Sequence, residues 1–242
     1  YQEHQKEIKS YWDKQIQTID QPNDLNALLS KTVDLDNIKS IEQAKEESIQ
    51  IEGELYQQLK QLSKQQGITL NTIVQFAWHK LIQVYTRDTQ TIVGTTVSGR
   101  DIAIEGIEDS VGLYINTLPL VIDWKDQEQT IGGQLKHMHN QITGLNNHSY
   151  ANLAKLQREG KRLFHSLFVF ENYPIPEGAN EVNEARKSTN LNIKFRGSIE
   201  KLDYPFGFTA YEHDQCLTIN IKYGGKYVDT DKISKLLNQV KI

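Results

Sequence analysis

Histidine is the side chain that most often moves protons near neutral pH, so the histidines are the first candidates for chemistry. There are seven: His4, His79, His137, His139, His148, His165 and His213. None is followed four residues later by an aspartate, and no two are adjacent. His137 and His139 are two residues apart on a predicted helix, so they lie on different faces and do not suit a shared metal. The spacing of the histidines therefore predicts no metal site in this chain.

Two other patterns that suggest chemistry are incomplete. Gly94 and Gly99 have the spacing of a phosphate-binding loop, but the Lys and Ser/Thr that contact phosphate and magnesium are missing after them. The single cysteine, Cys216, falls in a strand pattern, so we expect a buried free thiol and not a nucleophile. One cysteine also excludes an intrachain disulfide and favours a reducing compartment, which predicts a cytoplasmic protein.

Polar residues near two predicted strands remain as candidates to line a substrate channel. They are Asn116, Arg100, Ser98, His148 and Tyr150. Asn116 interrupts an apolar run, and a buried amide must be satisfied either by neighbouring backbone or by a ligand. Arg100 suits either a structural ion pair with Asp101 or a substrate contact. Ser98 suits either a turn or a hydrogen bond near a developing oxyanion.

The candidates depend on two strand-like runs, 91–97 and 111–120, with a polar, acidic connection between them. Further strands are predicted at 48–51, 163–174, 191–199, 206–212 and 216–223. Apolar periodicity predicts helices at 8–16, 54–66, 70–87, 130–145 and 230–240. Gly67 is placed to end the second helix, while Thr69 and Thr130 are placed to cap the third and fourth.

The bulk composition suits a globular domain with a substantial core. The chain has 242 residues, of which 38% are hydrophobic and 24% are charged. Its net charge is −4 and no Lys/Arg cluster stands out, so nucleic acid and anionic membranes are not expected partners. No apolar run is long enough for a membrane-spanning helix. The first residue is Tyr1 and the only methionine is Met138, so we expect a piece of a longer protein.

Several segments resemble motifs of the condensation domains of nonribosomal peptide synthetases. Tyr85 to Arg100 resembles YxxxDxxxVGTPxxGR, and Val111 to Leu120 resembles (I/V)GxFVNTLxLR, in the family's order. His148 to Gln157 resembles a variant of HxxYPLxxIQ. Leu163 to Pro174 resembles LFDxLFVFENYP, with His165 in place of the aspartate. Tyr11 and Trp12 resemble the YWxxQL segment where the second half of such a domain begins.

The resemblance covers essentially the whole chain and implies that residues 1–242 are the C-terminal subdomain of a condensation domain. The implied fold class is α/β, in the form of an α+β two-layer sandwich. The resemblance implies a mixed sheet flanked by helices, similar to that of chloramphenicol acetyltransferase. In this family the key histidine belongs to an HHxxxDG motif in the N-terminal subdomain, which is absent here, so the resemblance implies no catalytic residue in this chain. The asparagine that matches Asn116 lies near the family's tunnel, which implies a role in positioning substrate.

The implied function is peptide-bond formation between an acyl or peptidyl donor and an aminoacyl acceptor. Both substrates would arrive on phosphopantetheine arms of carrier proteins, with no cofactor bound by this chain. The implied partners are the N-terminal half, peptidyl carrier proteins and an adenylation domain, and this chain alone is expected to be inactive. The alternative is a non-catalytic docking or scaffold half that binds carrier or adenylation domains. A stand-alone acetyltransferase that uses His148 is disfavoured, because no aspartate follows at the motif spacing.

Overall fold

The structure is a computed structural model that describes residues 2–41, 44–99, 106, 111–125, 130–157, 160–171 and 201–240. Within these ranges the helices are α1 (Gln2–Gln17), α2 (Gly53–Gln66), α3 (Leu70–Thr86), α4 (Ile131–Asn147), α5 (Leu153–Leu156) and α6 (Thr230–Val240). The strands are β1 (Ala44–Ile51), β2 (Gln90–Val97), β3 (Asn116–Asp123), β4 (Ser166–Glu171), β5 (Phe206–His213) and β6 (Cys216–Gly224). Two short 3-10 turns, Leu25–Leu28 and Leu35–Asn37, precede β1.

The described strands form one mixed sheet in the order β1-β6-β5-β4-β2-β3. β1 with β6, β5 with β6, and β2 with β3 pair antiparallel. β4 lies between β5 and β2 and runs parallel to both. The expected α/β fold, a mixed sheet flanked by helices, is therefore confirmed.

The helix ends follow the capping residues that the sequence offers. The Thr69 hydroxyl accepts a hydrogen bond from the Thr72 backbone N–H at 3.1 Å, and α3 begins there. Thr130 does the same for Gly133 at the start of α4, at 3.2 Å. Gly67 ends α2 with a left-handed φ of 64°. These boundaries confirm the sequence prediction.

The two largest apolar clusters among the described residues hold the helices on the sheet. The larger one packs α2, α3 and α6 against β4, β5 and β6 and includes the fully buried Trp78 of α3. The second packs α1 and α4 against β3 through Trp12, Leu118, Leu120 and Met138. Because apolar burial is the main favourable term in folding, these contacts fix where α4 ends relative to the strands.

The edge strand β3 differs from its prediction, because it begins at Asn116 and not at Val111. Asn116 pairs with Val97, the last residue of β2. Beyond Val97 the chain turns at Gly99, whose φ is +66°, so the partner strand ends there. Val111 and Leu113 consequently stay outside the sheet, with exposed fractions of 100% and 88%.

Other differences are smaller. β1 is longer than predicted because it pairs with β6 along its whole length, from Ala44 to Ile51. β4 starts at Ser166, later than predicted, and the predicted continuation to 174 lies outside the described residues. The predicted strand at 191–199 also lies outside them.

Cys216 is half-buried and free, so the prediction of a buried thiol was wrong. The residue starts β6 directly after the tight turn at Asp214 and Gln215, whose φ values are 48° and 59°. Two central residues with positive φ are typical of a type I′ hairpin turn. A strand end beside a hairpin turn is open to solvent on one side.

No helix in the described part of the chain is long and apolar enough to cross a membrane.

Candidate functional site

The candidate site lies where β2 ends, β3 begins and the chain leaves α4. The antiparallel pairing brings Val97 opposite Asn116, so Ser98 and Gly99 directly follow that pair. The segment Ser149–Ala151, after the end of α4, contacts both strand ends by hydrogen bonds. The fold thus brings together Asn116, Ser98, Tyr150 and His148, four of the five residues that the sequence singled out.

Asn116 is held by main-chain groups on two segments. Its side-chain Nδ2 donates to the carbonyl oxygens of Ser149 at 2.8 Å and Ala151 at 2.7 Å. Its Oδ1 accepts from the backbone N–H of Thr117 at 2.9 Å. Both amide hydrogens are therefore used, and one lone pair of Oδ1 remains beyond these three bonds. The sequence left open whether neighbouring backbone or a ligand satisfies this amide. In the structure, backbone groups satisfy it.

Tyr150 joins the same segment to the end of β2. Its hydroxyl donates to the carbonyl oxygen of Gly99 at 2.6 Å, while 45% of the residue stays exposed. Gly99 cannot be replaced without strain, since its φ is +66° and an added Cβ would lie 2.0 Å from the Tyr114 carbonyl oxygen. Ser98 is exposed beside this turn. Arg100 lies outside the described residues.

His148 terminates α4 and ties it to α1. Its Nδ1 lies 2.7 Å from the Gly144 carbonyl oxygen, so Nδ1 carries the hydrogen and donates. The imidazole stacks on the ring of Tyr11 with centroids 4.0 Å apart and planes 4° apart. The His148 carbonyl oxygen accepts from Trp12 Nε1 at 2.8 Å. Burial in this contact raises the pKa of Tyr11 to about 12.

The arrangement suits orientation of a ligand more than proton transfer. Asn116, Ser98 and Tyr150 carry groups that hydrogen-bond without a net charge. The imidazole of His148 is committed at Nδ1 and covered on one face by Tyr11. Across the described ranges, no three His, Cys, Asp or Glu residues come together in a way that could hold a metal ion.

Sequence reasoning missed the apolar surface beside this site. Val111, Leu113 and Ile115 immediately precede Asn116 and are exposed by 100%, 88% and 47%. Their alternation with smaller or polar neighbours resembles a strand, so the sequence alone did not show that they are exposed. Large apolar groups clustered on a surface commonly mark an interaction site. The aromatic pair Tyr11 and Trp12 was visible in sequence, but its contact with His148 was not.

A comparison with protein family models matches the model described as "Condensation domain" over residues 1–241. The chain belongs to the condensation domain family of nonribosomal peptide synthetases. This condensation-domain chain is 34% identical over 248 residues to N-(5-amino-5-carboxypentanoyl)-L-cysteinyl-D-valine synthase of Penicillium rubens. The match covers 98% of the chain and 6% of that synthase, so the chain spans a small part of the relative's length.

Solved structures show the same fold at low sequence identity. The condensation-domain chain superposes on the X-domain from teicoplanin biosynthesis with a TM-score of 0.73 and 14% identity, covering 98% of this chain and 53% of that one. It superposes on a mutant form of the starter condensation domain of rhizomide synthetase with a TM-score of 0.69 and 14% identity. That match covers 98% of this chain and 51% of that one. The chain therefore spans about half of each of these two solved chains.

Proposed function

We propose that this condensation-domain chain is the C-terminal half of a peptide-bond-forming unit with the chloramphenicol acetyltransferase-like architecture. In this proposal the unit joins a carrier-bound acyl or peptidyl donor to the amine of a carrier-bound aminoacyl acceptor. The observation that carries the proposal is the exposed apolar surface of Val111, Leu113 and Ile115 directly beside Asn116. A second half would cover this surface and complete the channel.

The lengths of the solved relatives support a missing half. The chain aligns with 51% of the starter condensation domain and 53% of the X-domain, so each contains a remainder about as long as this chain. Burial of a Val or Leu side chain contributes about 1.5–3 kcal/mol. Covering Val111 and Leu113 would therefore give a companion half a substantial driving force for packing here.

The chemistry of the site supports different roles for this chain and for the N-terminal half. Amide formation needs a group that manages the proton of the attacking amine and donors that stabilise the developing oxyanion. Beyond its bonds to backbone, Asn116 can offer only an Oδ1 lone pair, so we propose that it accepts a hydrogen bond from substrate. Ser98 and Tyr150 are proposed to orient substrate through their hydroxyl groups, with Arg100 as a further substrate contact. In this proposal His148 shapes the channel wall through its stack on Tyr11. The proton-handling histidine of the HHxxxDG motif would come from the N-terminal half.

The proposal implies partners beyond the companion half. Peptidyl carrier proteins would deliver both substrates on phosphopantetheine arms, an adenylation domain would lie nearby, and this chain would bind no cofactor itself. The name of the Penicillium rubens relative, a synthase of a compound built from three amino-acid units, supports this context. We propose a cytoplasmic location, which the single cysteine supports.

A non-catalytic scaffold half remains the second candidate, and one observation favours it. Both amide hydrogens of Asn116 are bonded to backbone, which is typical of a residue that stabilises the fold. In the scaffold alternative, the chain would bind carrier or adenylation domains without contributing groups that contact substrate. Loss of turnover in site variants that keep their stability separates the two candidates.

Leu113→Asp in the complete condensation domain tests the proposed function. A charge placed where a companion half covers the surface should lower the free energy of unfolding by about 2 kcal/mol or more and reduce peptide formation. Val84→Asp is the matched control, since Val84 is an exposed apolar residue on α3 with an exposed fraction of 59%. Unfolding free energies within about 0.5 kcal/mol of wild type for both variants would show that Leu113 faces solvent in the complete domain and reject the proposal.

A further inference from the structure

Two polar residues of α3 are buried in the interface with β2. Gln75 and His79 each have an exposed fraction of 0%, and they lie four residues apart, on one face of the helix. The Gln75 side-chain Nε2 donates to the hydroxyl of Thr95, and His79 Nδ1 lies 2.8 Å from the hydroxyl oxygen of Thr91. Both threonines belong to β2, the strand that leads to Ser98 and Gly99. A polar seam therefore crosses an otherwise apolar contact.

Both tautomers of His79 are compatible with its contact to Thr91. Trp124 Nε1 lies 2.8 Å from the Thr91 hydroxyl oxygen and can only donate, so Thr91 accepts from the indole. The Thr91 hydroxyl keeps a second lone pair and its own hydrogen, so it can either accept from His79 Nδ1–H or donate to Nδ1. His79 Nε2 is correspondingly either an acceptor or the atom that carries the ring hydrogen. Full burial lowers the pKa of His79 to about 3, which agrees with a neutral ring.

Gln75 and His79 each have a second polar side-chain atom that takes no part in these bonds. Over the part of the chain that the structure describes, neither Gln75 Oε1 nor His79 Nε2 has a hydrogen-bonding partner, although both atoms are buried. Gln75 Oε1 is an acceptor, and His79 Nε2 needs a hydrogen-bonding partner in either tautomer. A buried polar atom left unsatisfied costs about 1–3 kcal/mol, and such atoms are rare in native proteins.

Gln75 and His79 are neighbours on one face of α3. Cβ atoms four residues apart on a helix are about 5–6 Å from one another, and Gln75 Oε1 and His79 Nε2 do not bond directly. A water molecule can donate to Gln75 Oε1 and at the same time either accept from His79 Nε2–H or donate to an Nε2 without a hydrogen. Buried waters typically make 2–4 hydrogen bonds to polar groups of this kind.

We propose that the α3–β2 interface binds one internal water molecule between Gln75 Oε1 and His79 Nε2. With this water, the seam forms a continuous hydrogen-bonded path from Thr95 through Gln75, the water and His79 to Thr91. The path ties α3 to the strand whose end carries the Ser98–Gly99 turn. The water is structural, and its site is formed by residues outside the candidate channel.

A crystal structure of the complete protein, at a resolution that shows ordered water, tests the proposal. We expect a density peak about 2.7–3.2 Å from both Gln75 Oε1 and His79 Nε2. A dry gap, a direct contact between the two side chains, or a peak that reaches only one of them would overturn the proposal.

Gln75→Met tests whether these atoms hold the water. The substitution keeps the length of the side chain and removes the acceptor, so the peak should disappear. Gln83→Met is the matched control on the same helix, where the peak should remain. A peak at wild-type strength in Gln75→Met would overturn the assignment. The wild-type density decides the question by itself if Gln75→Met does not fold.

Discussion

The side-chain amide of Asn116 donates to the carbonyl oxygen of Ala151 at 2.7 Å, across a sequence separation of 35 residues. This bond connects the first residue of β3 to the segment that follows α4. The same amide nitrogen also donates to the carbonyl oxygen of Ser149. Asn116 therefore fixes the position of the Ser149–Ala151 segment relative to β3.

Asn116→Ala in the complete domain should lower turnover more than stability. Loss of the two donors leaves the carbonyl oxygens of the buried Ser149 and the half-buried Ala151 without these partners, so the free energy of unfolding should fall by about 1–2 kcal/mol. The released Ser149–Ala151 segment lies beside the channel, and a displacement of about 1 Å at such a position can reduce turnover about 100-fold. Asn140→Ala, an exposed asparagine on α4, is the control. An unchanged rate together with a lowered melting temperature would give Asn116 a purely structural role.

Gly99→Ala should destabilise the protein more than Gly53→Ala. The two glycines have nearly equal φ values, +66° and +62°, so both variants pay the strain of a left-handed residue, about 1–2 kcal/mol. Only at Gly99 does the new Cβ meet a backbone atom, the Tyr114 carbonyl oxygen at 2.0 Å, while nothing lies within 4 Å of it at Gly53. Urea denaturation of both variants measures the difference. Equal losses of stability would show that the Tyr114 contact does not constrain the turn.

The buried His79 should make the protein sensitive to acid. Burial lowers its pKa from 6.5 to about 3, so between these values the unfolded chain binds a proton that the folded chain does not. This contribution to stability is complete above about pH 6.5 and declines as the pH falls, by about 2 kcal/mol at pH 5. His79→Gln should remove this part of the pH dependence in urea denaturation at pH 8 and pH 5, whereas the control His137→Gln should retain it. A pH dependence in His79→Gln equal to that of wild type would refute the assignment.

Local signals made the helices predictable from sequence. Thr69, Thr130 and Gly67 are capping residues whose effect extends over one helical turn, so α2, α3 and α4 begin or end where the sequence indicated. Strand boundaries depend on partners that are distant in sequence. Val111 to Ile115 has a strand-like pattern, yet no residues of β2 remain to pair with it beyond Val97.

The candidate site was predictable in its residues but not in its bonds. Asn116 was recognisable as an amide in an apolar run, while its partners Ser149 and Ala151 lie 33 and 35 residues away. The sequence did not show the partners of Gln75 and His79 on β2, because polar pairing between a helix and a strand is a tertiary property. The sheet order, with β4 parallel between β5 and β2, likewise follows from packing and not from any local pattern.

Peptide formation with loaded carrier proteins tests the central claim most directly. The assay compares this chain alone with the complete condensation domain that also contains the preceding half. We predict dipeptide from the complete domain and none from residues 1–242 alone, because the histidine that handles the proton is proposed to lie in the other half. Dipeptide formation by residues 1–242 alone, at a rate comparable with that of the complete domain, would contradict the account.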